Sequence, residues 1–399
     1  MRLGVSLIAL LCGLGFAADG VAQTNIRMAQ CEGSDPALVI PACTTVITSA
    51  QSSHELVSLA LSNRALAYEK LGQNDRAMAD LDAAIKRDPK NPHAWPNRGN
   101  LYLAQGQFDR AMEDYNQALV VHPNNPFAFG HRADAYLIHG DPARAIPDYD
   151  QAIKFDPRNF NFFAHRGEAY RLQHDDDHAI ADFNRAIALN AKIASVYVDR
   201  GIAYADRHDY DRAIADFDSA ILLDPKLSMA LSHRAETYAL KGAYDRALAD
   251  FTEALQLAPN SAAIYVGRGN IYQGQGQFDR AIAEYDHAIM ADSRDAQAFN
   301  NRGTAYASKG DYEHAIADYD SAVELNPGFP DLFANRGLAY VKTGQPALAI
   351  DDFSAALSKN PKDAHSMYNR GIAKQAMGDK TGSEVDMAAA RQLDPSVGK

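Results

Sequence analysis

The chain has 399 residues, 47% of them apolar by type and 9% aromatic, and a formal net charge of −12. That is enough apolar material for a large buried interior, but a single core of this length would ordinarily split into domains. The acidic balance argues against a nucleic-acid partner, whose affinity would come largely from Lys and Arg neutralising phosphates.

The opening stretch, MRLGVSLIALLCGLGFA, has one basic residue, Arg2, then an apolar core too short to span a bilayer, with small residues near Ala18 and Ala22. This pattern predicts an export signal over residues 1–22, cleaved after Ala22, and a periplasmic or secreted mature chain without a membrane span. Removal of the signal leaves two cysteines, Cys31 and Cys43. In an oxidising compartment an even count predicts a disulfide between them. The Cys-x-x-Cys spacing of redox sites is absent, so the bridge reads as a structural staple. Residues 23–57 form an N-terminal cap. Within it, Val39, Cys43, Val46 and Ile47 fall at helical spacing, like the second helix of a unit whose first helix is missing.

From Ser58 to Val397 one 34-residue pattern runs ten times without insertion, marked by Arg64, Arg98, Arg132, Arg166, Arg200, Arg234, Arg268, Arg302, Arg336 and Arg370. Each unit reads as two helices. Glycines such as Gly72 and Gly106 mark the turn between them, with His174 and His208 at that place in two units, and Pro89, Pro123 and their equivalents follow the second helix. A large apolar row beginning Leu61, Trp95 and Phe129 lies seven residues ahead of a tyrosine row beginning Tyr68, Tyr102 and Tyr136, on the same helix face. A small row (Ala65, Gly99, Ala133) between them permits close approach of the second helix. The period with these rows resembles the tetratricopeptide repeat family over everything from Ser58 onward. The resemblance implies an all-α fold, a right-handed α-solenoid with a concave groove, whose units depend on their neighbours for stability.

The arginines invite a structural explanation. Arg64 lies eight residues before Gly72 and Asp80 eight after it, so in an antiparallel pair both stand about 12 Å from the turn. The acid recurs as Asp114, Asp148, Asp182, Asp216, Asp250, Glu284, Asp318, Asp352 and Asp386. A ladder of forked Arg–carboxylate pairs is expected.

Chemistry is sparse in the rest of the sequence. GRGNIYQGQG at residues 267–276 mimics a nucleotide loop, but its glycines are repeat glycines with no strand before them. HDDDH at residues 174–178 has metal-type residues in a solvated turn, where a closed ligand shell is not expected. No catalytic residues, metal site or cofactor are assigned, and the chain reads as a binding protein rather than an enzyme. In the family the residue just before each ladder arginine faces the groove, which implies Asn63, Asn97, His131, His165, Asp199, His233, Asn301, Asn335 and Asn369 as partner-binding residues, with Gly267 the one bare rung. This row resembles the asparagine ladder within the repeat superhelix of O-linked N-acetylglucosamine transferase. The expected partner is a protein or an extended peptide held in the groove. The alternative is a structural component of an envelope or polysaccharide-export assembly that uses the convex face and the ends.

Overall fold

The computed structural model describes residues 27–50 and 52–398, so the expected export signal and its cleavage point lie outside the described residues. Within them the regular elements are helical throughout. A short helix over 27–31 is followed by twenty-one longer ones, from Pro36–Thr48 to Lys380–Leu393. The chain forms two compact units, up to Ala203 and from Tyr204 onward, each a stack of antiparallel helix pairs of the α-solenoid kind.

Local chemistry accounts for the helix boundaries. First helices begin where Asn125, Asn159, Asp295 and Asp363 accept backbone N–H bonds as N-caps, and second helices where Asp141, Asp175, Asp209, Asp311 and Asp379 do the same. Proline occupies the first helical turn at Pro126, Pro142, Pro330 and Pro346, where its missing N–H costs nothing. At the turn, Gly72 has φ +69°; its N–H donates to Glu69 C=O (2.8 Å) and Gln73 N–H to Tyr68 C=O (2.9 Å). This closes the first helix through a left-handed residue. His174 and His208 adopt the same backbone at φ +60°, the left-handed region that a Cβ disfavours.

The hairpins close on alanines of the second helix and on one large side chain, a ring in Tyr115, Tyr149, Phe183, Phe217, Phe251, Tyr285 and Phe353, which are almost wholly buried, and Leu81 in the first hairpin and Met387 in the last. The small row is needed for this closure, since a Cβ on Gly99 would lie 2.6 Å from the Tyr115 ring. The first unit's helix begins at His54, capped by Ser53, four residues ahead of the repeat boundary read from the period. Instead of lacking a first helix, the N-terminal cap has an abbreviated one. Residues 27–31 are tied to Pro36–Thr48 by the Cys31–Cys43 disulfide, and Met28 and Cys31 join Val39, Cys43 and Val46 in covering Ala60 and Ala67.

The arginine ladder is present. In Arg64–Asp80, Arg98–Asp114, Arg132–Asp148, Arg166–Asp182, Arg234–Asp250, Arg302–Asp318, Arg336–Asp352 and Arg370–Asp386, Nε and Nη2 donate to the two carboxylate oxygens at 2.6–2.8 Å. The fork joins the two helices of one hairpin. The remaining nitrogen, Nη1, reaches the second helix of the preceding unit, as in Arg98 to Asp82 (2.7 Å), Arg132 to Asn116 (2.7 Å), Arg302 to Asp286 (2.6 Å) and Arg336 to Asp320 (2.8 Å). One guanidinium therefore fixes three helices. Arg268 departs from the pattern because Glu284 carries an extra methylene. There Nη2 meets Oε2 at 2.8 Å, and Nε stays buried without a hydrogen bond among the described residues.

Candidate functional site

Within each unit, successive first helices touch one another while successive second helices do not, among the described residues. The first helices therefore crowd together on the inner face. The row preceding the arginines lies half-buried on that face, as its bonds between neighbouring first helices show. Asn301 Nδ2 donates to Asn270 Oδ1 (3.0 Å), Asn335 Nδ2 to Asn300 Oδ1 (2.9 Å), and His165 Nδ1 meets Asp134 Oδ1 (2.8 Å). Asn301 Oδ1 also accepts from Gln297 (2.6 Å). At the other rungs, Asn63 Nδ2 sits 4.0 Å from Cys31 Sγ, Asn97 Nδ2 is buried without a partner among the described residues, and His233 Nδ1 lies 3.0 Å from Glu236 Oε2. Asp199 and Asn369 are half-buried rungs of the same row. The structure thus joins some predicted residues to neighbours of their own face rather than leaving a bare ladder.

A second row, three residues further along each first helix, was missed by the sequence reading. Its members Asn100, Asp134, Asn270 and Thr304 meet hydroxyls from the ring row beneath. Tyr115 donates to Asn100 (2.8 Å), Tyr149 to Asp134 (2.6 Å) and Tyr285 to Asn270 (2.7 Å), and Tyr319 lies 3.2 Å from the Thr304 hydroxyl. The sequence does carry the signal. Where the ring row is Tyr, the residue fifteen positions earlier is Asn, Asp or Thr; where it is Phe, that residue is Glu168, Ile202, Glu236 or Leu338.

A polar cluster surrounds Asp134. Its carboxylate accepts from Tyr149, contacts His165 and lies 3.7 Å from His131 Nδ1. Burial alone would raise the Asp134 pKa, but the nearby His131 ring, hydrogen bonds from His165 and Tyr149 and the His165 charge hold it far below the usual carboxylate range. The bond to Asp134 raises His165 above the usual imidazole value against the opposing effect of burial, with Asp134, Glu168 and Asp199 adding to the rise. Burial and the Asp134 charge push the Tyr149 phenol well up, so it stays a donor.

The HDDDH segment is a helix start. His174 is the left-handed turn residue, and Asp175 caps the second helix and takes a bond from His178 Nδ1 (2.8 Å). Among the described residues, no group of three or more His, Cys, Asp or Glu side chains is placed to hold a metal ion, and no helix is long and apolar enough to cross a membrane.

A family model described as tetratricopeptide repeat matches residues 62–128, 132–192, 198–262 and 335–379, together more than half of the chain. A second model of the same description matches residues 238–300, and a TPR repeat model matches 303–344. Among solved structures, a tetratricopeptide repeat protein from Parabacteroides merdae is 24% identical over 62% of this chain and 98% of its own, with a TM-score of 0.51. The Cut9–Hcn1 hetero-tetramer of APC/C is 15% identical over 90% of this chain and 91% of its own, at 0.50. A monomeric mutant of IFIT1 with Gppp-AAAA is 16% identical over 93% of this chain and 100% of its own, also at 0.50. These likenesses are likenesses of fold alone. No curated protein matches the sequence.

Proposed function

The chain belongs to the tetratricopeptide repeat family, and from that premise we propose that it is a non-catalytic scaffold that holds an extended segment of a partner protein along its first helices. Tetratricopeptide repeats are protein-interaction scaffolds, and the inner face here supplies the chemistry for a peptide backbone. The observation that carries the reading is the run Asn301, Asn335 and Asn369, one half-buried amide on each of three successive first helices. An extended peptide has a donor and an acceptor at every residue, and an amide offers both, so such a run can hold a chain without reading its side chains. Asn270 and Asn300 fix the orientation of two of the three amides while leaving further bonding capacity on each. Rungs about 10 Å apart match about three residues of extended chain.

The half-buried row elsewhere, Asn63, Asn97, His131, His165, Asp199 and His233, would extend the same groove with less regular chemistry. The opening apolar segment and the buried Cys31–Cys43 bridge support placing the scaffold in the cell envelope, exported to the periplasm or secreted. The convex-face alternative has less support, since strongly exposed Leu222 and Met290 share a row of the second helices but are separated by Gln256 and make no continuous patch.

The test uses dodecapeptides selected from a random display library against the full mature chain, with affinity read by fluorescence anisotropy. Replacing Asn301, Asn335 and Asn369 together by Ala should weaken binding by about 1 kcal/mol per lost contact while circular dichroism and melting stay unchanged. A folded triple variant that binds at wild-type affinity would overturn the groove reading.

A further inference from the structure

The rung row is bare at one place, Gly267, and there the inner face opens into a cleft of about 440 Å³ between first helices Ser228–Leu240 and Ala262–Gly274. Its floor and walls are apolar. Phe251 rises beneath Gly267, where a Cβ would lie 2.6 Å from the ring, Ile271 is buried, and Leu240 and Tyr244 stand 64% and 41% exposed although both line the cleft. Its rim is polar. The Glu236 carboxylate is half in solvent, and the oxygen of the Asn270 amide is taken by Tyr285 and Asn301, which leaves the amide nitrogen for another acceptor.

Two features set the cleft apart from ordinary packing. Gly267 has a packing reason to be glycine, but Gly274 has none. A Cβ added there meets nothing within 4 Å, its φ is not left-handed, and glycine in a helix is entropically unfavourable. The position is bare at a cost, and it lines the same cleft as the exposed Leu240. Second, the equivalents of Leu240 further along this unit are Gly274, Ser308, Lys342 and Ala376, and those of Glu236 are Asn270, Thr304, Leu338 and Ile372. An exposed apolar wall and a carboxylate rim coincide at this rung and not at the later ones; Ile138 with Asp134 and Leu172 with Glu168 repeat the pair in the other unit, but the positions that correspond to Gly267 and Gly274 carry side chains there, His165 and Leu172 or Asp199 and Asp206.

We propose that this cleft is an anchor pocket for one large apolar side chain, Leu, Met or Phe, of an extended peptide that carries a Lys or Arg beside it to pair with Glu236. The inference rests on the groove reading above and gives it a specificity element. The next three rungs are Asn301, Asn335 and Asn369, so an anchored peptide would pass straight onto the amide run. Alternate side chains of an extended chain face the same way, which places the basic residue two positions from the anchor. Asn270 Nδ2 is available to a backbone carbonyl between them.

The same random dodecapeptide library tests the proposal. Selected peptides should be enriched in a Leu, Met or Phe two residues from a Lys or Arg, and replacing the apolar residue by Ala should weaken binding at least tenfold. Gly274→Leu fills the cleft from a position with open space around it. It should weaken the same peptides at least tenfold with a melting temperature equal to or above wild type. Glu236→Gln should remove the preference for the basic residue while retaining that for the apolar one. Peptides without the apolar and basic pair, or wild-type affinity in Gly274→Leu, would overturn the pocket. If the triple Asn variant loses binding and Gly274→Leu does not, the groove reading stands and the pocket falls; the reverse pattern keeps the pocket and removes the amide run. Failure of the library to yield any binder counts against both.

Discussion

At the scale of single residues, the Asp134 cluster decides how the inner face of the first unit responds to pH. Asp134 is held below its ordinary pKa, so its contribution to stability is present above the unfolded carboxylate value and is lost as pH falls toward the folded one. His165 is held above its ordinary value, so its contribution is complete below the unfolded imidazole value and is lost as pH rises through the folded one. Both are satisfied only between, from about pH 4 to about pH 6.5. Asp134→Asn should therefore destabilise the protein most in that window and less on either side, and the His165 ring, followed by NMR, should titrate at lower pH in the variant. A pH-independent difference would show that the pair is not linked. His131 and His165 are legible as members of a row, but Asp134 is not, because the groove row lies one residue before the arginines and Asp134 belongs to a row two residues after them. The rule joining Tyr149 to Asp134 becomes visible only once ring and polar rows are compared copy by copy.

At the scale of helices, the arginine ladder makes a hairpin and its predecessor one mechanical piece. Asp352 is 6% exposed and takes both its oxygens' bonds from Arg336. Arg336→Leu should leave that buried carboxylate unpaired, at a cost of about 3–5 kcal/mol, and urea unfolding should show it as an earlier transition. An unchanged midpoint would assign the arginine a role in ligand contact instead. The pairing within the hairpin could be read in advance, since residues equidistant from a turn must stand level. The third contact, to Asp82, Asn116, Asp286 or Asp320, could not. It depends on the stagger of one hairpin against the next, which the 34-residue period leaves open. His174 and His208 were likewise legible as turn residues, while their left-handed backbone is a fact of the structure.

At the scale of the whole molecule, helices within each compact unit pack on helices of their own or an adjacent repeat, so stability accumulates within each unit as in a one-dimensional array. The last hairpin protects the one before it, with Ala373 packed on Phe353 beside Tyr340, Val341 and Ile350. Deleting residues 364–399 should uncover that apolar surface, lower the first melting transition and promote association. A truncated chain that melts like the full one and stays monomeric would contradict it. The fold and its period were plain in the sequence because ten copies repeat one answer, whereas the binding chemistry sits where copies differ, as at Gly267 and Gly274. The reach of each arginine into the preceding hairpin also has a genetic consequence. Loss or duplication of any 34-residue block by unequal recombination between copies presents every guanidinium with a carboxylate ahead and a neighbouring second helix behind. A change of any other length breaks the register at the junction, so the gene can lengthen or shorten in whole repeats and tolerate few other indels.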